Sequence, residues 1–397
     1  MNKVTHKLLV QSALASTLMM PSFGGDMPAT ADLGSVPSNE SSGDWCSALK
    51  SAGSVYKNDD NPWIQKVKIF GRYHQQWAYS DGTAAGQDFS DYSSEARRLR
   101  LGVSVDLLDR WTLLGRINFE DGNVYANTIR HENFDEVFLQ YRADDIGFFK
   151  NPTIGYGLTK LKFGGEWYQS SKKIKTIERS NLSNFYTPDR ATGFFMGAEA
   201  GNFDLTFGVY STSAQGYATT SWDGGEAYFA TFKTEALDGT IRGDILYLDT
   251  EGNEDEIFDF DWATSLTYET QIGDWDLFTN ATYGSTKSGD VYGIVIMPSR
   301  FIIEDRVELV FRYQWAHSTG LNLRPGTSSH TSVRETAIHE GVTIARGDDN
   351  HTLYAGLNYF LCDHNLKLMT GIEHETITGG GSDLDATTVW SAMRFYF

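Results

Sequence analysis

Residues 97–119 read Arg-Arg-Leu-Arg-Leu-Gly-Val-Ser-Val-Asp-Leu-Leu-Asp-Arg-Trp-Thr-Leu-Leu-Gly-Arg-Ile-Asn-Phe. Two alternating runs stand on either side of a short break. In the first, Leu99, Leu101, Val103, Val105 and Leu107 alternate with Arg98, Arg100, Ser104 and Asp106. In the second, Trp111, Leu113, Ile117 and Phe119 alternate with Thr112, Arg116, Asn118 and Glu120. Successive side chains of a strand point to opposite faces, so each run has one apolar and one polar face. The break at 108–110 reads as a tight turn. Each run is about ten residues long, whereas strands of soluble sandwiches usually run about five or six. Apolar-out, polar-in strands of that length are the pattern of a transmembrane barrel.

The same period of two recurs along the chain. It is clear in Val67, Ile69, Tyr73 and Trp77 against Lys68, Arg72, His74 and Gln76, and in Val307, Leu309, Phe311, Tyr313 and Trp315 against Glu308, Arg312 and Gln314. Sixteen segments follow it: 67–78, 95–107, 111–121, 134–142, 152–161, 193–199, 203–211, 226–234, 239–249, 258–269, 274–283, 290–301, 306–316, 351–360, 365–374 and 386–397. Pro298 interrupts the twelfth. Their connections alternate short (108–110, 200–202, 235–238, 270–273, 302–305, 361–364) with long (79–94, 122–133, 162–192, 212–225, 317–350). Tight turns on one rim and long loops on the other are expected of such barrels. Val389, Met393, Phe395 and the terminal Phe397 alternate outward on the last segment. The predicted fold is all-β: a sixteen-stranded antiparallel transmembrane β-barrel over 67–397.

Composition narrows the function classes. The chain has 397 residues, with 40% hydrophobic, 14% aromatic and 21% charged, and a net charge of −19. The acidic balance argues against nucleic acid as a partner. Lys3 and Lys7, an apolar stretch from Leu8 to about Met20 and an Ala29-Thr30-Ala31 site read as a signal peptide over 1–31. Its removal takes the net charge from −19 to −20. Residues 32–66 then form an extension with one short helix, opened by Asp44 and stopped by Pro62. The only two cysteines are Cys46 and Cys362. In an exported chain they are candidates for a disulfide tying the extension to the barrel base.

A family resemblance is carried by 157–193. Gly157-x-x-Lys160-x-x-Phe163 is followed by Glu166, Ser170-Ser171-Lys172, Ile174, Glu178-Arg179-Ser180, Phe185, Pro188, Arg190 and Gly193. Together with Arg97-Arg98-Leu99-Arg100-Leu101-Gly102-Val103, these resemble the phosphate-selective porin O/P family. Lys162 stands where that family usually has Pro at the strand end. The resemblance implies a sixteen-stranded, usually trimeric, outer-membrane porin whose third outer loop, here 162–192, folds inward and narrows the channel.

Two constellations bear on selectivity. Seven cations, Lys160, Lys162, Lys172, Lys173, Lys175, Arg179 and Arg190, stand between 160 and 190 against Glu166, Glu178 and Asp189. They are the candidate constriction, since Lys and Arg in a pore lower the entry barrier for anions. On the inferred lumen face, Arg72, Arg98, Arg100, Arg116 and Arg142 form a candidate basic ladder. Asp259, Asp261, Glu269 and Asp276 form a candidate acidic wall. In a closed barrel these sets face one another and place a field across the channel. The acidic run Glu251–Glu256 lacks the EF-hand order and reads as a solvated loop. The expected function is passive diffusion of small hydrophilic solutes, with a preference for anions, phosphate a candidate among them, resting on the basic loop. Expected partners are outer-membrane lipids, small anions or hydrophilic solutes and, through the resemblance, two further copies of the chain. No cofactor is implied and no enzyme motif occurs. An outer-membrane barrel enzyme using His74 or His374, and a structural or adhesive surface barrel, stand as alternatives.

Overall fold

The computed structural model describes residues 43–122, 128–186, 190–212, 222, 225–250, 260–326, 331–380 and 383–397. The expected leader, the acidic run 251–256, Asp189 and Asp259 lie outside them. The chain divides into two units, Met1–Ala48 and Leu49–Phe397. Within the first, the described residues are the opening turns of a helix, α1 (Gly43–Ser51). Both cysteines are disulfide-bonded.

The second unit begins with a short strand, β1 (Ser54–Lys57), paired with the first barrel strand. The barrel strands are β2 (Ile64–Ala84), β3 (Gln87–Leu107), β4 (Trp111–Gly122), β5 (Thr128–Arg142), β6 (Phe149–Lys160), β7 (Arg190–Ala200), β8 (Phe203–Ser211) and β9 (Gly225–Ala236). They continue as β10 (Gly239–Thr250), β11 (Trp262–Ile272), β12 (Trp275–Thr286), β13 (Gly289–Ile303), β14 (Val307–Ser318), β15 (Asp349–Cys362), β16 (Leu366–Thr378) and β17 (Leu384–Tyr396). Each pairs antiparallel with its sequence neighbours, and β17 pairs with β2. Sixteen strands therefore close into a barrel, and a strand stands at each predicted segment, the tenth beginning only at Trp262. Phe397 exchanges backbone hydrogen bonds with Gly71 at 3.2 and 3.3 Å, so the last residue of the chain seals the first strand.

Two local expectations fail. Residues 79–94 are not a long loop: β2 and β3 run on as a hairpin, with Tyr79 opposite Tyr92, and turn at Ala85-Gly86. Small and polar residues such as Ser80, Asp81 and Gly82 replace the apolar face there, so the alternation fades while the backbone ladder continues. A tilted contact of the Tyr79 and Tyr92 rings, 4.5 Å between centroids, supports it. Pro298 does not break its strand. It keeps its place opposite Leu277 on β12, and the β13–β14 ladder skips Met297 and Pro298, as the missing N–H requires.

The lumen is not uniformly polar either. Phe229, Leu246, Phe278, Val295 and Val310 form a buried inner wall on β9–β14. Leu161, Phe163, Leu182 and Tyr186 of the stretch 161–186 pack on that wall. Each fully buried side chain of this size contributes roughly 1.5–3 kcal/mol. The 319–348 connection carries α2 (Val333–His339), whose Val333 and Ala337 pack on Ala84, Phe89, Ile377 and Leu384. Two segments thus fold back into the barrel, and the inward strand positions are correspondingly buried.

Close packing also sets where side chains are forbidden. A Cβ on Gly102 would lie 2.6 Å from the Phe70 ring and 2.9 Å from the Gly115 carbonyl, whereas one on Gly115 would meet nothing within 4 Å. Gly102→Val is expected to destabilise the barrel by about 1–3 kcal/mol, as overpacking does. A fall in the temperature at which the folded band converts to the unfolded one on a semi-native gel measures it. Gly115→Val is the control and leaves that temperature unchanged.

Candidate functional site

Residues 161–186 fold inward as an inner loop with two single-turn helices, α3 (Gly165–Tyr168) and α4 (Asn181–Phe185). Much of it is buried, as at Ile174, Thr176 and Ile177, and a buried unpaired acceptor is costly. Four adjacent strands supply donors. Lys367 Nζ on β16 donates to the Ile174 carbonyl at 2.6 Å, and Asn358 Nδ2 on β15 to Lys175 at 2.9 Å. Arg394 Nη2 on β17 donates to Ile177 at 2.6 Å, and Arg312 Nη1 on β14 to Glu178 at 2.7 Å. The return leg is held by Gln314, whose Oε1 accepts from the Leu182 N–H at 3.1 Å, and by the Tyr186 hydroxyl, which donates to the Val291 carbonyl. Ser180 caps α4 by accepting from the Ser183 N–H at 3.1 Å.

The seven predicted constriction cations do not act alike. Lys160 donates to the Trp167 carbonyl at 2.6 Å and lies over that indole. Arg179 donates to the Glu166 and Gln169 carbonyls at 2.7 and 2.9 Å and covers the indole at 4.4 Å. These two brace the loop, Arg179 buried and Lys160 half-buried, rather than standing free at the pore surface. Lys175 is neutralised by Asp276 at 3.0 Å and Glu308 at 3.1 Å. Burial opposes its charge, but Glu308 and Asp276 outweigh burial and raise its pKa. Arg190 is bound to Asp135 at 2.5 Å. Lys162 and Lys173 are exposed. Lys172 lies 4.3 Å from the Tyr396 ring centre and 6.0 Å from that of Phe70, and forms no ion pair among the described residues. Burial, then Arg72, Lys68 and Arg116, lowers its pKa to about 8.

Four of the candidate ladder residues lie close together on the lumen face. Arg72 donates to Ser171 Oγ at 2.6 Å and so meets the inner loop. Arg100 pairs with Asp135 at 3.1 Å, and Arg116 binds both Asp135 and Glu136. Arg98 is buried beside them. Arg142 is the correction: it faces the lumen side but stands at the short-turn rim, exposed, donating to the Asp109 carbonyl at 3.2 Å. Period-two reading fixes a face but not a height. Of the acidic wall, Asp276 engages Lys175, Glu269 lies within electrostatic reach of Lys175, Lys233 and Arg242, and Asp261 precedes β11 half-buried.

Several residues escaped the sequence reading. Two β-bulges turn extra side chains inward. On β5, Arg116 opposes Glu136 and Ile117 opposes Phe134, which leaves Asp135 free to join Glu136 on the lumen face. On β3, His74 opposes Arg98 and Gln76 opposes Glu95, so Arg97 reaches Glu178 at 2.7 Å. Burial would raise the Glu178 pKa, but Arg97, Arg98 and Arg394 hold it down at about 2. No periodicity announces a bulge. Arg394 was legible, since it alternates with the outward Met393 and Phe395, but nothing marked it as a loop anchor. His74 and His374 do not share a site: His74 is fully buried, and His374 is exposed with Nδ1 3.1 Å from Thr387 Oγ1.

The fold has solved counterparts. An anion-selective porin from Comamonas acidovorans is 13% identical, with 84% of this chain and 99% of that one covered and a TM-score of 0.56. The outer-membrane protein OmpT of Vibrio cholerae is 12% identical over 84% and 97% of the two chains, with a TM-score of 0.53. The outer-membrane channel DcaP of Acinetobacter baumannii is 14% identical over 86% and 99%, with a TM-score of 0.52. At these identities the likeness is one of fold. No curated protein matches the chain in sequence. The family profile described as phosphate-selective porin O and P matches residues 67–297, the whole stretch from the first barrel strand to the middle of β13. With a closed sixteen-stranded barrel, an inward-folded loop and that match, the chain belongs to the phosphate-selective porin O and P family and is an outer-membrane channel.

Proposed function

We propose that this channel passes small hydrophilic solutes passively and prefers anions, and that Lys172 is the residue that sets the preference. The observation that carries this reading is the contrast among the loop cations. Lys160 and Arg179 are spent on carbonyls, and Lys175 and Arg190 on carboxylates. Lys172 keeps its charge uncompensated, beside Arg72 and over two aromatic rings. A partly dehydrated anion meeting an ammonium in a narrow, low-dielectric passage regains part of its lost hydration energy. The family's description as phosphate-selective supports an oxyanion as one such solute. The exposed Lys162 and Lys173 add positive potential near the passage. No turnover belongs to this reading. Export through the 1–31 leader, assembly as a homotrimer and contact with outer-membrane lipids complete it.

The sign of the pH dependence follows from Lys172. Its ammonium is charged below about 8 and neutral above. Anion preference, read as the reversal potential under a KCl gradient in planar bilayers, is expected to be larger at pH 6 than at pH 10. Lys172→Met flattens that profile, and Lys172→Glu moves the reversal potential toward the cation side. A wild-type channel with no anion preference, or a Lys172→Glu channel indistinguishable from it, would remove Lys172 from this role. Inhibition of chloride current by millimolar phosphate is expected to weaken in Lys172→Met.

We also propose that Cys46 and Cys362 pair with each other. Peptide mapping of the unreduced protein is expected to yield one cross-linked fragment carrying both residues, which separates into two on reduction. A mass with either thiol joined to another molecule contradicts the pairing.

A further inference from the structure

We infer that His74, Arg98 and Arg394 hold a halide-sized anion behind the inner loop, off the path of the diffusing solute. The three residues form one row across three adjacent strands. Arg394 on β17 is directly opposite His74 on β2, and His74 is directly opposite Arg98 on β3. Directly opposed residues share a face of the sheet, with Cβ atoms about 4.5–5.5 Å apart. The shared face here is the lumen face, because Arg394 reaches the Ile177 carbonyl and Gln76 Oε1 from it.

The row is sealed. His74 and Arg394 are 0% exposed and Arg98 is 6% exposed. The inner loop lies over it at Ile177, itself packed among Ala78, Trp390 and Ala392. Yet its nitrogens are unmatched. Both ring nitrogens of His74, Nη1 of Arg98, and Nε and Nη1 of Arg394 are buried without a hydrogen-bond partner. Buried donors are normally satisfied, and buried cations normally compensated. The charges that act on His74 are those of Arg394, Arg98, Arg72 and Arg100, all of one sign. Glu178 acts on Arg98 and Arg394, and Glu95 on Arg394, but both are shared with other donors: Glu178 accepts from Arg97 and Gln76, and Glu95 from Gln76 and Thr331. A neutral imidazole still offers one N–H. What fits such a row is one more negative charge that accepts N–H bonds from several directions. A monatomic anion does so without the room a tetrahedral oxyanion needs, so the occupant is chloride.

Its consequence is positional. The anion fixes the Arg394 guanidinium, and that guanidinium holds the Ile177 carbonyl, so chloride is part of what locks the loop in place. This site is independent of the pore preference assigned to Lys172. Crystals of the wild-type protein soaked in sodium bromide are expected to show an anomalous peak touching His74, Arg98 and Arg394. A row that carries no bromide, or holds a water or a carboxylate oxygen instead, overturns the assignment. In solution, the wild-type unfolding temperature is expected to be higher in sodium chloride than in sodium gluconate of equal ionic strength, as linkage to a bound ion requires. His74→Leu and Arg394→Met are expected to lose that difference, and Lys172→Met to keep it. Equal differences in all four proteins overturn the proposal, and the bromide experiment decides it even where a row variant fails to fold.

Discussion

Inside a closed barrel, a loop that turns inward brings its peptide groups into a space where they must find partners in the protein itself. The carbonyls of Ile174, Lys175, Ile177 and Glu178 find them on four consecutive strands, from Lys367, Asn358, Arg394 and Arg312. Three of these donors are cations, and hydrogen bonds from ionised donors are the stronger kind. The β14–β17 wall thereby decides where the middle of the inner loop lies. The arrangement explains the division of labour within the loop. Its apolar side chains at Leu161, Phe163, Leu182 and Tyr186 adhere to the wall of β9–β14, while its middle is pinned by charge on the other side.

Charge inside the channel is organised by compensation more than by abundance. Asp135 alone meets Arg100, Arg116 and Arg190. Glu178 meets Arg97, and Asp276 with Glu308 meets Lys175. After these pairings few loop cations remain available to a solute, although the loop as a whole is strongly basic. On the reading proposed for Lys172, a channel's preference follows from the residual charges and their desolvation, and one half-buried lysine outweighs a count of seven. The buried row of His74, Arg98 and Arg394 gathers basic side chains behind the inner loop.

The bulges on β3 and β5 give this organisation its means. A regular strand offers the lumen one side chain in two. An inserted residue offers two in succession, as Arg97-Arg98 and Asp135-Glu136 show. Both pairs sit where the inner loop meets the barrel, and together they supply carboxylates to the ladder and a guanidinium to Glu178. The long hairpin of β2 and β3 extends the wall beyond the alternating zone and gives α2 a surface at Ala84 and Phe89 to pack on.

The sequence by itself determined the barrel. Strand faces follow from a period of two, and the apolar faces of runs such as Leu99–Leu107 and Val307–Trp315 admit one stable environment, so sixteen strands and their short turns could be read directly. The identity of the inward loop was legible too, through the motifs at 157–193. The sequence did not determine what each inward charge does. Period-two reading assigns a face, but not the height that moves Arg142 to the rim, nor the bulges that turn Arg97 and Asp135 inward. It could not foresee that Lys160 and Arg179 would serve carbonyls, or that Lys367 and Arg394, some two hundred residues away, would hold the loop. Those roles depend on which strands lie opposite one another once the barrel closes, and closure is a long-range event that no local pattern encodes.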